Sequence, residues 1–390
     1  MDQVISAVVF ILSVLAGLLI LTFLVVIHEL GHAIVARRNG VVVEEFGIGF
    51  PPRAGSKKLK NGILLSINWL PLGGFVKLKG EHDEATGKGS YGGANMWVKT
   101  KVLLAGVVIN WLAAAVLFAI LAVVGLPKML PNQFSVQADT TEVRSPVSIA
   151  SIVAGSPAAK AGLQIGDQIT QLDTTKITAP ADLTAATKKH AGKTVQLSYQ
   201  HNDQTKTTNV TLNTADHAQK GYLGIGPIQD TILRSTWSAP IVGVGLTGQF
   251  TYETVKGLGT LLGQVGQGVA SKFSSDKTVQ QSGGEALSEA NQGVAGPVGI
   301  LFNIFPTFLH AGIVPLVLLT AIISLTLAVM NVLPIPALDG GRLYLTLIFH
   351  ALKKPLTKGR EEKIVGYSFY ALILLVIFIS FLDVGKIFFK

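Results

Sequence analysis

Residues 4–27 form an uninterrupted apolar stretch, which limits the possible folds more than any other feature of the sequence. The stretch contains no charged residue, and as a helix it would be about 36 Å long, enough to cross a hydrocarbon core of about 30 Å. It is too long for the apolar part of a signal peptide, and no basic residue precedes it. We therefore predict a membrane-spanning helix that reaches the interface near Arg37 and Arg38.

The end of this predicted helix carries the sequence HELGH, in which His28, Glu29 and His32 are the polar residues. Histidines four residues apart project from one face of a helix at a separation suited to a shared metal ion. Glu29 is rotated by roughly 100° from His28, which suits a general base better than a third ligand. A lone histidine inside a membrane is as often a packing residue as a functional one, but the complete motif at this depth favours a metal site.

The composition is typical of a polytopic membrane protein. Hydrophobic residues make up 49% of the chain and charged residues 14%, and the mean hydropathy is +0.48. The absence of cysteine excludes a disulfide framework and a thiolate site, so that histidine and carboxylate must hold any metal. Hydropathy predicts four spans, over residues 4–36, 102–126, 311–333 and 365–382.

The distribution of charge predicts the orientation in the membrane. Residues 37–101 carry eleven basic against five acidic side chains and residues 339–363 carry six against three, whereas residues 127–309 carry thirteen against twelve. We expect both basic loops in the cytoplasm, and the long balanced segment and both termini outside. The net charge of +9 is then mostly a topology signal, and nucleic-acid binding is not expected because no Arg-rich face is interleaved with aromatic residues.

The chain divides into four predicted segments. Within the third segment, we expect residues 238–268 to lie on the membrane surface and residues 278–292 to form a flexible loop. The four segments are a first membrane half (residues 1–126), an extracytoplasmic domain (127–226), a Gly-rich linker at the membrane surface (227–309) and a second membrane half (310–390).

Residues 41–80, between the first two spans, have the pattern of β structure at the membrane surface. Asn61-Gly62 is a strong signal for a hairpin turn. A free strand edge beside an intramembrane site could hold an unwound substrate segment in extended form, but a hairpin that only covers the cytoplasmic mouth explains the pattern equally well. The sequence HDE at residues 82–84 is interpreted as part of a solvated loop rather than a second metal site.

Gly106 and Asn110 interrupt the apolar sequence of the second span. Their spacing permits a close approach between helices. Asn110 needs a hydrogen-bond partner inside the membrane, either near the metal site or on a neighbouring helix.

Residues 145–226 change to a soluble, β-rich module. A short helix near Pro157 is followed by a strand, a helix predicted over residues 181–189 and further strands. This order resembles a PDZ domain of the bacterial protease type. The resemblance implies that the module binds peptide by strand addition beside the helix at 181–189, with residues 221–225 as a candidate groove strand.

The third span ends in a broken region with the sequence NVLPIPALDGG, residues 331–341. Pro334 and Pro336 must end the helix, and irregular backbone at membrane depth is tolerated only where protein or a water-filled cavity surrounds it. Asp339 follows this break. Asp-Gly-Gly on its own is more often a turn at a membrane exit.

Asp339 is also the candidate for the missing third metal ligand. A catalytic zinc takes three protein ligands and keeps one position open, and His28 and His32 supply only two. No other carboxylate adjoins a span in such a broken region. Beside an intramembrane HExxH motif, the ligand interpretation is therefore favoured.

The chain resembles the bacterial members of the site-2 protease family, which are intramembrane zinc metalloproteases. The resemblance extends over all four spans, HELGH at residues 28–32, the single PDZ-like insert, GPVGI at 296–300 and NVLPIPALDGG at 331–341. It implies a polytopic α-helical membrane protein with a membrane-associated β-hairpin, to which GGFVKL at residues 73–78 corresponds, and an inserted PDZ-like α+β domain.

The resemblance also implies roles for individual residues. His28, His32 and Asp339 would bind one zinc ion per chain, Glu29 would be catalytic and Asn331 would lie near the scissile bond. The candidate substrate-binding residues are Gly73, Gly74, Phe75, Val76, Asn110, Pro334 and Pro336. Enterobacterial anti-sigma-factor proteases of this family carry two tandem PDZ domains whereas this chain has one, which leaves the identity of the substrate open.

The expected function is cleavage of the membrane-spanning segments of single-span proteins, such as anti-sigma factors or remnant signal peptides, in the bacterial cytoplasmic membrane. The substrate would first be cut by another protease, and the PDZ-like module would bind the trimmed end or exclude bulky ectodomains. Membrane lipid is the other expected partner. A transporter would show an inverted repeat about residue 200, which the sequence lacks, and a silent scaffold would be favoured only if Glu29 or Asp339 were replaced.

Overall fold

The computed structural model divides into two compact units. One unit combines Met1–Leu121 with Ala239–Lys390, and the other is Ala122–Ser238. The sequence HDE at residues 82–84 lies outside the described residues, so the solvated-loop interpretation stays a prediction. The structure describes residues 2–81, 87–202, 204–214, 221–354 and 356–388.

In chain order the elements are α1 (Asp2–Arg38), β1 (Val43–Lys58), β2 (Leu64–Leu78), α2 (Met96–Val124), β3 (Leu126–Pro127), β4 (Thr141–Arg144), β5 (Val147–Ile152), α3 (Pro157–Lys160), β6 (Gln168–Leu172), β7 (Thr175–Lys176), α4 (Pro180–Lys189), β8 (Thr194–His201), β9 (Gln204–Thr211), β10 (Ile225–Ile228), β11 (Thr231–Arg234), α5 (Ala239–Ser271), α6 (Lys277–Gly293), α7 (Pro297–Gly299), α8 (Phe305–His310), α9 (Ile313–Val332), α10 (Asp339–Ala351) and α11 (Lys358–Phe388).

Four helices of the first unit are long and apolar enough to cross a membrane, as the sequence predicted. They cover Ser6–Arg38, Met96–Val124, Ile313–Val332 and Gly359–Lys386. A fifth candidate is the bent pair formed by α6 with residues 297–310, whose axes differ by 44°. Each of the four predicted spans therefore falls on one long helix among the described residues.

Glycines let α1 and α2 approach closely. A Cβ atom on Gly31 would lie 2.7 Å from the carbonyl oxygen of Ala105. A Cβ atom on Gly106 would lie 2.5 Å from Nε2 of both His28 and His32. Real Cβ atoms do not tolerate such distances, so these two glycines permit the contact that the small-residue spacing predicted.

A β-hairpin lies between α1 and α2 in the chain, and its association with the membrane stays a prediction. β1 and β2 pair antiparallel, and the turn between them contains Gly62 with φ +88°. Gly47 pairs with both Phe75 and Ser66, because β2 folds back so that two parts of it flank the first half of β1. The last part of β2, residues 74–78, is therefore an edge.

The segment after the second unit, Ala122–Ser238, differs from the predicted linker. Residues 278–292 were expected to form a flexible loop, but they belong to the helix α6, and the expectation was wrong. Asp276 caps this helix by accepting from the backbone N–H of Thr278 at 2.8 Å. Alanines and a glycine of α6, together with the small residues of α5, let the two helices pack as a hairpin. A polar sequence can form such a helix because a neighbouring helix covers its small-residue face.

The second unit contains a sheet in the order β10-β5-β6-β8-β9, with β7 paired to β6. Its core is formed by buried aliphatic residues such as Val147, Ile169 and Leu197. A smaller sheet, β3-β11-β4, joins the two ends of the unit. Because β11 closes this sheet, the unit continues to Ser238, beyond the predicted boundary at residue 226. The helix predicted at 181–189 is α4.

Candidate metal centre

Three side chains from distant parts of the chain meet in the first unit. His28 and His32 lie one turn apart on α1, and Asp339 is the first residue of α10. Oδ2 of Asp339 is 3.0 Å from Nε2 of His28 and 3.2 Å from Nε2 of His32. Both histidines are buried, and one ligand atom from each of the three residues lies within 4.8 Å of the others. The structure thus brings together the donors that the sequence singled out.

Two glycines let Asp339 reach the histidines. A Cβ atom on Gly340 would run into the main chain of Val332, and one on Gly341 into the main chain of Ile335. The start of α10 therefore folds tightly against the broken end of α9. The two residues after Asp339 must therefore lack side chains. The interpretation of Asp-Gly-Gly as a turn did not predict this requirement.

α2 contacts the outer ring nitrogen of each histidine. Nδ1 of His32 lies 2.7 Å from the carbonyl oxygen of Val102, and the side-chain amide of Asn110 lies 3.3 Å from Nδ1 of His28. Each ring therefore turns its other nitrogen, Nε2, toward Asp339. Such contacts orient metal-binding histidines in proteins.

Glu29 lies beside the three donors without being one of them. Its carboxylate lies near the backbone N–H of Val76 in β2, and a Cβ atom on Gly74 would lie 3.4 Å from its Cγ. Glu29 lines two cavities, and Asp339 lines both as well. Its position beside the donors is suited to proton transfer.

The first cavity has a volume of about 320 Å³ and contains Asn331, the second predicted catalytic residue. The amide Nδ2 of Asn331 donates to the carbonyl oxygen of Leu327 at 3.0 Å. Among the predicted substrate-binding residues, Gly73, Gly74 and Asn110 line this cavity.

The other predicted substrate-binding residues lie elsewhere. Phe75 and Val76 line the second cavity, which has a volume of about 230 Å³. Pro334 is exposed and Pro336 is half-buried, and neither is among the residues that line the two cavities. Their main effect in the structure is to end α9 before Asp339.

An ion-pair network at the second cavity was not predicted from the sequence. Nη1 of Arg342 lies 2.7 Å from Oε1 of Glu81, and Nη2 lies 3.5 Å from Oε1 of Glu361. Burial opposes the charge of Arg342, but the two carboxylates raise its pKa above the ordinary value, so the guanidinium stays charged. In the sequence these residues contributed only to the charge of the predicted cytoplasmic loops. Ion pairs between residues so far apart in the chain leave no local sequence pattern.

The donor set fits a catalytic zinc ion. Zinc accepts imidazole nitrogen and carboxylate oxygen at about 2.0–2.2 Å, and catalytic sites use three protein ligands and one open position. Tetrahedral donors at that range lie about 3.3 Å apart. The separations of 3.0 and 3.2 Å from Asp339 to the two histidines are close to this value.

Comparison with known proteins identifies the family and several relatives of this chain. The sequence profile of peptidase family M50 matches residues 16–376. The regulator of sigma-W protease RasP of Bacillus subtilis is 25% identical, over 97% of this chain and 100% of its own length. The zinc metalloprotease RasP of Bacillus licheniformis is 24% identical, over 96% of this chain and 99% of its own.

One solved structure is similar to part of this chain. The PDZ domain of the SdrC-like protein of Listeria monocytogenes has 26% sequence identity and covers 24% of this chain and 94% of that domain, with a TM-score of 0.19. The family profile, in contrast, spans nearly the whole chain. The chain therefore belongs to peptidase family M50, the site-2 protease type, and is a membrane zinc metalloendopeptidase.

Proposed function

We propose that this enzyme cleaves peptide bonds inside the membrane-spanning segments of single-span proteins, such as anti-sigma factors or remnant signal peptides. The observation that carries the proposal is the position of the site. His28, Glu29 and His32 lie within Ser6–Arg38, a helix long and apolar enough to cross a membrane. Ionisable groups are costly in such a helix unless they act on something that enters the same layer.

In this proposal His28, His32 and Asp339 hold one zinc ion. When bound, the ion supplies a Lewis acid that polarises a peptide carbonyl and acidifies water. Glu29 takes the proton from the attacking water and returns it to the leaving amine. The position of the Glu29 carboxylate supports this role, because Glu29 and Asp339 line the same two cavities.

The substrate helix must unwind before it is cut, since the carbonyl groups of an intact helix are held in backbone hydrogen bonds. The edge of β2 at residues 74–78 receives the unwound segment as an added strand. In support, this edge pairs with β1 on one side, and no other strand of the described ranges pairs with it. Asn331, in the same cavity as Gly73 and Gly74, binds the substrate main chain or the developing oxyanion.

The second unit selects substrates that have already been shortened by another protease. Its PDZ-like sheet binds a trimmed end by strand addition or excludes bulky ectodomains. In support, β10 is at the end of the sheet and pairs only with β5 among the described strands. The unit faces the outside of a bacterial cytoplasmic membrane together with both termini, as the charge distribution favours.

The site of cleavage tests the proposal. Purified enzyme in lipid vesicles is incubated with a single-span substrate, and the products are located by mass spectrometry. We expect cuts inside the spanning segment, and we expect Glu29→Gln to lower the rate by at least about 100-fold, whereas Glu289→Gln, on the exposed surface of α6, has no effect. Cuts confined to the segments outside the membrane, or full activity of Glu29→Gln, would contradict it.

A further inference from the structure

Asn110 is completely buried in α2 and contacts a histidine of the metal centre. Its Nδ2 lies 3.3 Å from Nδ1 of His28. Its Oδ1 is also buried and has no hydrogen-bond partner among the described residues. A buried amide oxygen without a partner is energetically unfavourable. The assignment of the oxygen and nitrogen of this amide is therefore decided by the groups that face it.

The chemistry of His28 determines which amide atom should face it. Nε2 of His28 points toward Asp339 at 3.0 Å and is the nitrogen that a metal would use. A neutral imidazole with a free electron pair on Nε2 carries its proton on Nδ1, so Nδ1–H would face the N–H₂ group of Asn110, donor against donor. The oxygen and nitrogen of an amide are exchanged by a half turn, after which Oδ1 accepts from Nδ1–H.

His32 shows the same arrangement with an acceptor that cannot be exchanged. Its Nδ1 lies 2.7 Å from the carbonyl oxygen of Val102. A carbonyl oxygen can only accept, so Nδ1 of His32 carries a proton, and in the neutral ring Nε2 then has the free electron pair. α2 thus supplies a main-chain acceptor to His32, and Asn110 occupies the corresponding place at His28.

The neighbouring contacts hold Asn110 in place. The hydroxyl of Ser324 in α9 donates to the main-chain carbonyl of Asn110 at 2.9 Å. Gly106, one turn earlier on α2, leaves the space that both imidazole rings occupy. After the half turn, the N–H₂ group of Asn110 takes the buried position that Oδ1 held, in a residue that lines the first cavity.

We infer that Asn110 is a positioning residue, whose Oδ1 accepts the Nδ1–H of His28 and directs Nε2 of that ring at the metal. This rests on the proposed function, because it takes His28 as a zinc ligand. It gives Asn110 a role in metal binding in place of the substrate contact predicted from the sequence. Removing such a partner typically weakens metal binding by about 10- to 100-fold.

The test compares acceptor-free and acceptor-bearing side chains in the purified full chain. Asn110→Leu and Asn110→Ala remove the acceptor, Asn110→Asp keeps one, and Ser324→Ala disturbs the same helix contact without touching the amide. The dissociation constant for zinc is measured by competition with a chelator, and the visible absorption spectrum is recorded after loading with Co²⁺. We expect the Leu and Ala variants to bind zinc about 10- to 100-fold more weakly with a changed cobalt spectrum, and the Asp and Ser324 variants to stay within about threefold of the original.

Three outcomes would overturn the inference. Unchanged zinc affinity in the Leu and Ala variants would exclude a role in metal binding, and a raised KM with unchanged affinity would return Asn110 to substrate binding. An equal loss of zinc affinity in the Leu, Ala and Asp variants would indicate a purely structural role. Failure of the proposed function is distinguishable, because His28→Ala would then leave zinc binding intact whatever stands at position 110.

Discussion

Gly106 faces both histidines across the contact between α1 and α2. A Cβ atom there would lie 2.5 Å from Nε2 of each ring, and these two nitrogens are the ones directed at Asp339. The space that a metal ion and its ligands need is therefore set by a residue with no side chain. At the residue scale, function depends as much on this missing side chain as on the ligands.

We predict that Gly106→Ala displaces the imidazoles and lowers both zinc content and proteolysis by at least about 10-fold, a loss like that caused by other changes around metal ligands. The added methyl group cannot be accommodated because both neighbours are themselves held by Val102 and Asn110. Metal analysis and a cleavage assay on the same preparation measure the two effects.

Gly248→Ala is the matched control, because a Cβ atom at Gly248 in α5 meets nothing within 4 Å. It should leave zinc content and activity unchanged, and replacing a helical glycine should raise stability by up to about 1 kcal/mol. Full zinc content in Gly106→Ala would show that the helix contact is looser than described.

The metal ligands could be predicted from the sequence, whereas the groups that contact the ligands and Glu29 could not. The spacing of His28 and His32 places both on one face of a helix. Asp339 follows a helix end that the two prolines predict. Val102 acts through its carbonyl and Val76 through its N–H, so their side chains carry no signal of the role. Asn110 had a signal, a lone amide in a span, and only the geometry shows that it reaches His28.

At the scale of elements, α6 is the clearest difference between sequence and structure. Hydropathy identified the four long helices because a membrane-spanning helix needs a long run of apolar residues. α6 is polar and has no such run. Its packing depends on Gly283, which is buried against Ser271 of α5. Tertiary packing against α5, which a local pattern does not record, makes this segment helical.

We predict that Gly283→Ala pushes α5 and α6 apart, because its Cβ atom would collide with the side chain of Ser271. Overpacking of this kind costs about 1–3 kcal/mol. Limited proteolysis between the two helices, followed by mass spectrometry, would detect the opening as faster cleavage.

Gly284→Ala provides the comparison at the adjacent position. A Cβ atom on Gly284 meets nothing within 4 Å, so this change should leave the proteolysis rate unchanged or lower it. If both variants were cut at the same rate as the original chain, the α5–α6 contact would not be the tight one described here.

At the scale of the whole molecule, orientation in the membrane follows from charge rather than from the fold. The basic segments at residues 37–101 and 339–363 favour the cytoplasm for the hairpin, and by alternation we propose that the second unit lies outside. The metal centre would then be approached by substrates that cross from the outer to the inner face. The chain has no cysteine, which allows a direct test.

We predict that a single cysteine at Thr205, exposed in β9, reacts with a membrane-impermeant maleimide added to intact cells. A single cysteine at Lys57, exposed in β1, should react only after the membrane is opened. Both residues lie at exposed positions, so the difference reports on the side of the membrane. The reverse pattern of labelling would invert the proposed topology.

The proposed activity depends most on one zinc ion held by His28, His32 and Asp339. Metal analysis of the purified full chain, with X-ray absorption at the zinc edge, tests it directly, with Asp230→Ala as an exposed control. We predict one zinc per chain with nitrogen and oxygen donors, retained in Glu29→Gln and Asp230→Ala and reduced below about a tenth in Asp339→Ala. Full zinc content in Asp339→Ala, or in a variant that lacks both histidines, would contradict the assignment of these three residues as the zinc ligands.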